Sequence, residues 1–271
     1  MEIGRPRKRR EDPELLRGRG LYAADPAPAG AVHLAIRRAG LPSAEDVRVD
    51  VSAARTAPGV VGAWIAGELG LADGNMPTPP GMPKGAVGRP VLAAGSTRFE
   101  GDALAVVAAE TEYQAQDALD LVEVDHEPGQ ADRRPFRENR HGYGDSQAAI
   151  AAAPVRLRTR LRMGRICGAA MEPRAVIAEW REQDQQLLIR ASVGWVHGLR
   201  DAVASCLGLD REQVLAVTGD VGGSFGAKNQ PYPEYVMAAA ISRLLRRPCA
   251  GRPPVPRTAT PPARPTPPTS T

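Results

Sequence analysis

Five residues rich in glycine, Gly222-Gly223-Ser224-Phe225-Gly226, carry the strongest chemical signal in this chain. They lie between an apolar run, Val214 to Thr218, that reads as a strand, and a segment from Pro233 that opens a helix. Glycines at such a junction let the backbone come close to a ligand, and consecutive N–H groups there form an anion-binding concavity. Two familiar phosphate loops are excluded: Lys228 follows Ala227, so GxxxxGK[ST] is absent, and the spacing is not GxGxxG. Pro233 is too far along to make its helix a direct anion cap. Taken alone, the turn reads equally as a tight connection with Phe225 in the core.

The remaining reactive side chains say less. Glu172 and Glu234 read as structural carboxylates, Glu172 paired with nearby arginines, and His197 as a capping or surface residue near a helix start. No catalytic base is assigned. Cys167, Cys206 and Cys249 are far apart and form no CxxC pair, zinc pattern or iron–sulfur ligand run. No protein metal ligands are expected. Five of the first ten residues are Lys or Arg, and the net charge is +4. With no recognition helix, RNP motif or aromatic-studded basic face beside it, this arm reads as solvated, and no nucleic-acid partner is expected. Neither a membrane-length apolar run nor a signal-peptide h-region is visible, so a cytoplasmic protein is expected.

Aromatic residues make up only 4% of the chain, so its cores must be built from Ala, Val, Leu and Ile. Residues 1–16 read as the basic arm. Strands are expected at Ala31 to Arg37, Val47 to Val51 and Val60 to Ile65, with one helical turn in Ser52 to Ala57. A Gly-, Pro- and Met-rich surface loop follows over residues 70–90. Ala103 to Ala108 is an apolar strand, and Thr111 and Gln114 fit a capping box for a helix ending near Leu119. Leu121 to Asp125 alternates as a half-exposed strand. A polar linker is expected over 129–140. Beyond it come a short helix from Ser146 to Ala153 and strands at Val155 to Leu161, Ala175 to Trp180 and Leu187 to Ser192. A helix over Leu199 to Leu207, stopped by Gly208, and another from Glu234 to about Leu245 complete the pattern. From Cys249 to Thr271 the chain lacks Leu, Ile, aromatics and acids, so this tail is expected to be disordered. Its Arg, Pro, Ala and Thr content is that of a GC-rich gene read out of frame.

Four segments together resemble a known family. Asp220-Val221-Gly222-Gly223-Ser224-Phe225-Gly226-Ala227-Lys228 is similar to the molybdopterin-contacting loop of the xanthine dehydrogenase, aldehyde oxidase and aerobic carbon monoxide dehydrogenase large subunits. Gly18-Arg19-Gly20-Leu21-Tyr22-Ala23-Ala24-Asp25 resembles the family's opening motif. Phe99 to Ala108, with Ala115 to Asp125, resembles the end of its first domain, and Met171-Glu172-Pro173-Arg174 its Glu-Pro-Arg segment. The resemblance covers roughly residues 4–248. It implies an α+β fold: an α/β hammerhead domain over 17–128, then over 141–248 the first part of a molybdopterin-binding domain.

The resemblance also implies a function. Such enzymes hydroxylate or oxidise a carbon or CO centre, such as an aldehyde or an N-heterocycle, with water as the oxygen source. The cofactor is molybdenum-molybdopterin, the cytosine dinucleotide form included; iron–sulfur and flavin centres are expected elsewhere, on a small iron–sulfur subunit and a medium FAD subunit. A homodimer of the whole assembly is a further expectation. By position, Gly222, Gly223, Ser224, Phe225 and Gly226 contact the cofactor through backbone N–H groups and the Phe side chain. Two departures stand out. Family members place a Gln after Ser-Thr before the Leu199 helix, where this chain has Ser192-Val193-Gly194, so Gly194 is the equivalent and its amide is missing. Ala39 to Ala44 replaces the family's Ser-Pro-His-Ala. The family's general-base Glu lies beyond residue 271, so the chain is expected to be a truncated subunit. The alternative expectation is a noncatalytic module that docks partner subunits without cofactor.

Overall fold

The computed structural model describes residues 3–252 other than 26, 73, 79–87, 131–137, 139, 165 and 167. In chain order the elements are α1 (Asp12–Leu16), β1 (Val32–Arg38), β2 (Ala44–Asp50), α2 (Ser52–Arg55), β3 (Val60–Ile65), β4 (Asn75–Met76), β5 (Arg89–Pro90), β6 (Gly95–Thr97), β7 (Ala103–Ala109), α3 (Glu112–Leu119) and β8 (Glu123–Pro128). Then follow α4 (Ser146–Ala152), β9 (Val176–Arg181), β10 (Gln186–Ala191), α5 (Val196–Leu207), β11 (Val214–Val217), α6 (Pro233–Leu245) and β12 (Cys249–Gly251). The fold is α+β, as the sequence implies.

One seven-stranded sheet, ordered β11-β10-β9-β12-β1-β7-β3, runs through the whole molecule. All seven residues of β7 are buried, because both of its faces are covered. Val106 and Ala108 face the large core under α5 and α6, while Ala105 and Val107 face a smaller one with Ala54, Ala118 and Val122. A second sheet, β6-β2-β8, stands beside it. Helix α3 starts as its sequence demands: the Thr111 hydroxyl accepts the Gln114 N–H at 3.2 Å. The other half of the capping box differs, since Gln114 Oε1 accepts from the Thr111 hydroxyl instead of the backbone.

Helix α6 is buried from Pro233 to Ser242, wedged between the sheet and α5. Side chains such as Tyr235, Val236, Met237 and Ile241 each contribute about 1.5–3 kcal/mol by leaving water. Ser242 closes a gap in the ladder: β12 pairs with β9 only as far as Ala178, and the Trp180 N–H beyond it donates to the Ser242 hydroxyl at 2.9 Å.

Two expectations need correction. The chain does not lose structure at Cys249: Cys249–Gly251 form β12, parallel to β1 and antiparallel to β9, and this short strand joins the two halves of the sheet. Residues 253–271 lie outside the described residues, as do Cys167 and most of the 129–140 linker. Val155 to Leu161 form no strand, because nothing described lies beside them to pair with. Within the basic arm, Asp12–Leu16 form a helical turn with no buried residue.

Candidate functional site

The loop after β11 is held at both ends. At its start the Asp220 carboxylate accepts the Leu21 N–H at 2.8 Å, and the Asp220 N–H donates to the Leu21 carbonyl at 2.9 Å. At its end the Tyr232 hydroxyl donates to the Ala227 carbonyl at 2.7 Å, and the Gly194 N–H to the Lys228 carbonyl at 2.8 Å. The Arg174 guanidinium stacks 3.8 Å from the Tyr232 ring centre, fixing that tether.

Beneath the loop, one carboxylate gathers its contacts. Glu172 Oε2 accepts from Lys228 Nζ at 2.7 Å, from the Ser192 hydroxyl at 2.7 Å and from the Gly222 N–H at 2.8 Å. The Lys228 side chain is only 1% exposed, so its charge depends on this partner. Burial alone would raise the Glu172 carboxyl, but the hydrogen bonds from Lys228, Ser192 and Gly222 outweigh it and hold the group below its usual range. The pairing of Glu172 is structural as expected, but its partner is Lys228 and not an arginine. Glu234 does take arginines: Arg38 at 2.5 Å and Arg174 at 3.9 Å.

Between those anchors the loop is open. The N–H groups of Gly223, Ser224, Phe225 and Gly226 have no acceptor among the described residues. Gly223, Phe225 and Gly226 all have positive φ, at 99°, 48° and 85°. Such φ values are routine for glycine but costly for Phe, by about 1–3 kcal/mol, so the surrounding tethers must hold Phe225 there. Phe225 is not in the core; it is 73% exposed. A cleft of about 350 Å³ adjoins the loop, lined by Tyr22, Asp25, Met171, Glu172, Gly222 and Arg252 among others.

The structure thus brings together three of the four resembling segments: 18–25, 171–174 and 220–228. It also divides the expected site residues. Gly223 to Gly226 present free donors, but the Gly222 N–H is already taken by Glu172. Gly222 is glycine for packing, because a Cβ there would lie 2.5 Å from Glu172 Cβ. Gly194 does lie against the loop: a Cβ on it would stand 3.1 Å from Asn229 Oδ1 and 3.7 Å from the Lys228 carbonyl. His197 is exposed on the first turn of α5, away from these contacts. Sequence reasoning missed Lys228, Ser192, Asn229 and Tyr232. None of the four carried a signal of its own, since each depends on pairings no spacing rule reveals.

These residues fit an organic anion that brings its own metal. Four consecutive N–H donors have no acceptor among the described residues, and among those residues no cluster of three His, Cys, Asp or Glu side chains gathers to ligate an ion. Residues 17–130 match the a/b hammerhead domain of aldehyde oxidase and xanthine dehydrogenase, and residues 128–252 match the molybdopterin cofactor-binding domain. The chain belongs to the large-subunit family of the molybdenum hydroxylases.

Among its relatives is the 6-hydroxypseudooxynicotine dehydrogenase complex subunit gamma of Paenarthrobacter nicotinovorans, 31% identical over 90% of this chain and 33% of its own length. The carbon monoxide dehydrogenase large chain of Afipia carboxidovorans is 27% identical over 90% of this chain and 34% of its own. In structure, quinoline 2-oxidoreductase from Pseudomonas putida 86 superposes with a TM-score of 0.77 at 28% identity, over 93% of this chain and 34% of that one. The chain therefore spans about a third of the length of the relatives it matches. No helix among the described residues is long and apolar enough to cross a membrane.

Proposed function

We propose that the arc of Gly223, Ser224, Phe225 and Gly226 receives the metal end of a molybdopterin cofactor, with or without a cytosine dinucleotide. The chain then serves as cofactor-binding part of a molybdenum hydroxylase. When bound, the cofactor supplies two-electron oxidation of an aldehyde, an N-heterocycle or a CO-like substrate, with water as the oxygen source. The protein's part is placement. Glu172, clamped by Lys228 and Ser192, fixes Gly222 and so the start of the arc, while Tyr232 fixes its end. The four N–H groups offer hydrogen bonds without any rearrangement at the moment of binding. Phe225, held outside the core, covers one side of the bound group and limits water. Electrons would pass to a small iron–sulfur subunit and a medium FAD subunit, in an assembly that pairs with itself.

The single observation behind this reading is the run of four consecutive N–H groups left without acceptors on a tethered loop. Purified chain from cells that make the cofactor is expected to carry molybdenum and pterin in equal, near-stoichiometric amounts. Gly226→Ala sharpens the test: a Cβ at that position meets nothing within 4 Å in the protein itself, and its strain comes from the positive φ of 85°, which reshapes the arc's own backbone. Loss of cofactor from a still-folded Gly226→Ala chain would tie the cofactor to the shape of this arc; unchanged content contradicts the proposal. A second reading, a noncatalytic module that docks partners, is favoured by the Gly222 N–H being already engaged with Glu172. Folded protein lacking both molybdenum and pterin would establish that reading instead.

A further inference from the structure

Asn229 follows the buried Lys228, and its side chain reaches back to the arc. The Ser224 hydroxyl donates to Asn229 Oδ1 at 3.1 Å. Among the described residues this is the one hydrogen bond from a side chain elsewhere to any side chain of Gly223 to Gly226. Backbone pairing fixes the place of the carboxamide. The Gly194 N–H donates to the Lys228 carbonyl at 2.8 Å, which lays residue 229 against residue 194. A Cβ on Gly194 would stand 3.1 Å from Asn229 Oδ1, so glycine there leaves the carboxamide its room. With Oδ1 taken by Ser224, the other end of the group is an NH2 carrying two donors. Asn229 is exposed, and that NH2 has no acceptor among the described residues.

We propose that Asn229 is a further binding residue for the group seated in the arc, donating from Nδ2 to one of its acceptor atoms while Ser224 orients the carboxamide. The inference rests on the reading of the arc as a cofactor seat. The surroundings call for a donor at this place. The arc itself offers only N–H groups, and the Lys228 charge is already matched by Glu172 at 2.7 Å. A neutral amide adds one more donor without adding charge, whereas a carboxylate at 229 would set an acceptor against the acceptors of the ligand. Ser224 then works twice, its N–H toward the ligand and its hydroxyl toward Asn229.

The test uses the full chain purified from cells that make the cofactor, with molybdenum and pterin followed through extended dialysis. Asn229→Asp keeps the acceptor for Ser224 and loses the donor; Asn229→Leu keeps the volume and loses both. Both variants should release molybdenum and pterin about tenfold or more faster than the unaltered chain. Ser224→Ala should speed release by a smaller factor, about two- to fivefold, and add nothing on top of Asn229→Leu, because it acts through the carboxamide. In cofactor-free protein, neither Asn229 variant should change thermal unfolding or the exchange of the Gly223 to Gly226 amides, both of which a merely structural role would move. Release at the same rate from all chains would overturn this inference alone. So would faster release confined to Asn229→Asp, which is charge repulsion, additive effects of Ser224→Ala and Asn229→Leu, or altered amide exchange in the cofactor-free variants. An unaltered chain holding neither molybdenum nor pterin would overturn it together with the reading on which it rests.

Discussion

Glu172 and Glu234 are two carboxylates of one kind put to different uses. Both are mostly buried, and for both burial alone would raise the carboxyl while basic partners hold it below its ordinary range. Glu172 joins pieces of one neighbourhood, with Lys228, Ser192 and Gly222 all crowding Oε2, and so it shapes a loop. Glu234 joins distant parts of the chain: Arg38 ends β1, Arg174 precedes β9, and Glu234 opens α6. Its Oε1 takes both arginines and its Oε2 is buried without a partner. The difference teaches that a buried charge can position a binding loop or bolt two regions together. Which one it does depends on where its partners sit, not on its own environment.

The largest effect should come from Glu234→Leu. It strands the Arg38 guanidinium, whose side chain is only 19% exposed, and should cost roughly 3–5 kcal/mol in urea unfolding. Adding Arg38→Met should recover part of that loss, since it removes the nearer stranded charge and leaves Arg174, 11% exposed, held only by the Tyr232 ring. A double variant no more stable than Glu234→Leu alone would mean that the cost lies in packing. Lys228→Met should cost less, about 3 kcal/mol, because Glu172 keeps two other donors and borders the cleft. Its cofactor content should fall more than that of Glu234→Leu, if Glu172 serves the loop and Glu234 the fold. Equal losses in the two would erase the distinction.

Acid sharpens the same contrast. Each carboxyl is held below its ordinary value of 4.5, so the stability it contributes is complete above that pH and is lost as pH falls through the depressed value. Unfolding free energy measured by urea from pH 6 to pH 3 should therefore decline. In Lys228→Met the Glu172 carboxyl loses its strongest hydrogen bond, burial pushes it upward, and the acid-dependent loss should shrink. An unchanged slope would mean that Glu172 does not report on the pair. The smallest effect is expected outside both nodes: Leu157→Ser, at a side chain 92% exposed, should alter stability by no more than about 0.5 kcal/mol.

Much of the sheet was legible because its signals are local. The β7 run is apolar on both faces, Thr111 caps α3, and Gly208 ends α5 in the left-handed region at φ 62°. Strand β12 was not legible. Cys249-Ala250-Gly251 has no periodicity, and only the neighbouring edges of β1 and β9 make it a strand. Val155 to Leu161 fails in the opposite way, since its alternation is strong but no described neighbour completes it. At the site, the glycine pattern alone left a ligand loop and a tight connection with Phe225 in the core equally open, and Phe225 lies outside the core. What the pattern hid was the division of labour inside it: Gly222 packs and donates to Glu172, whereas Gly223 to Gly226 keep their donors free. That distinction depends on a carboxylate fifty residues away in sequence, beyond the reach of any spacing rule.

The most direct measurement of the central claim is residue-resolved hydrogen exchange on the chain purified from cells that make molybdenum cofactor and from cells that do not. The amides of Gly223, Ser224, Phe225 and Gly226 should exchange quickly in the cofactor-free protein and slow markedly in the loaded one, while the Gly222 amide is slow in both. Loaded protein in which those four amides exchange as before, with protection appearing elsewhere, would contradict the account.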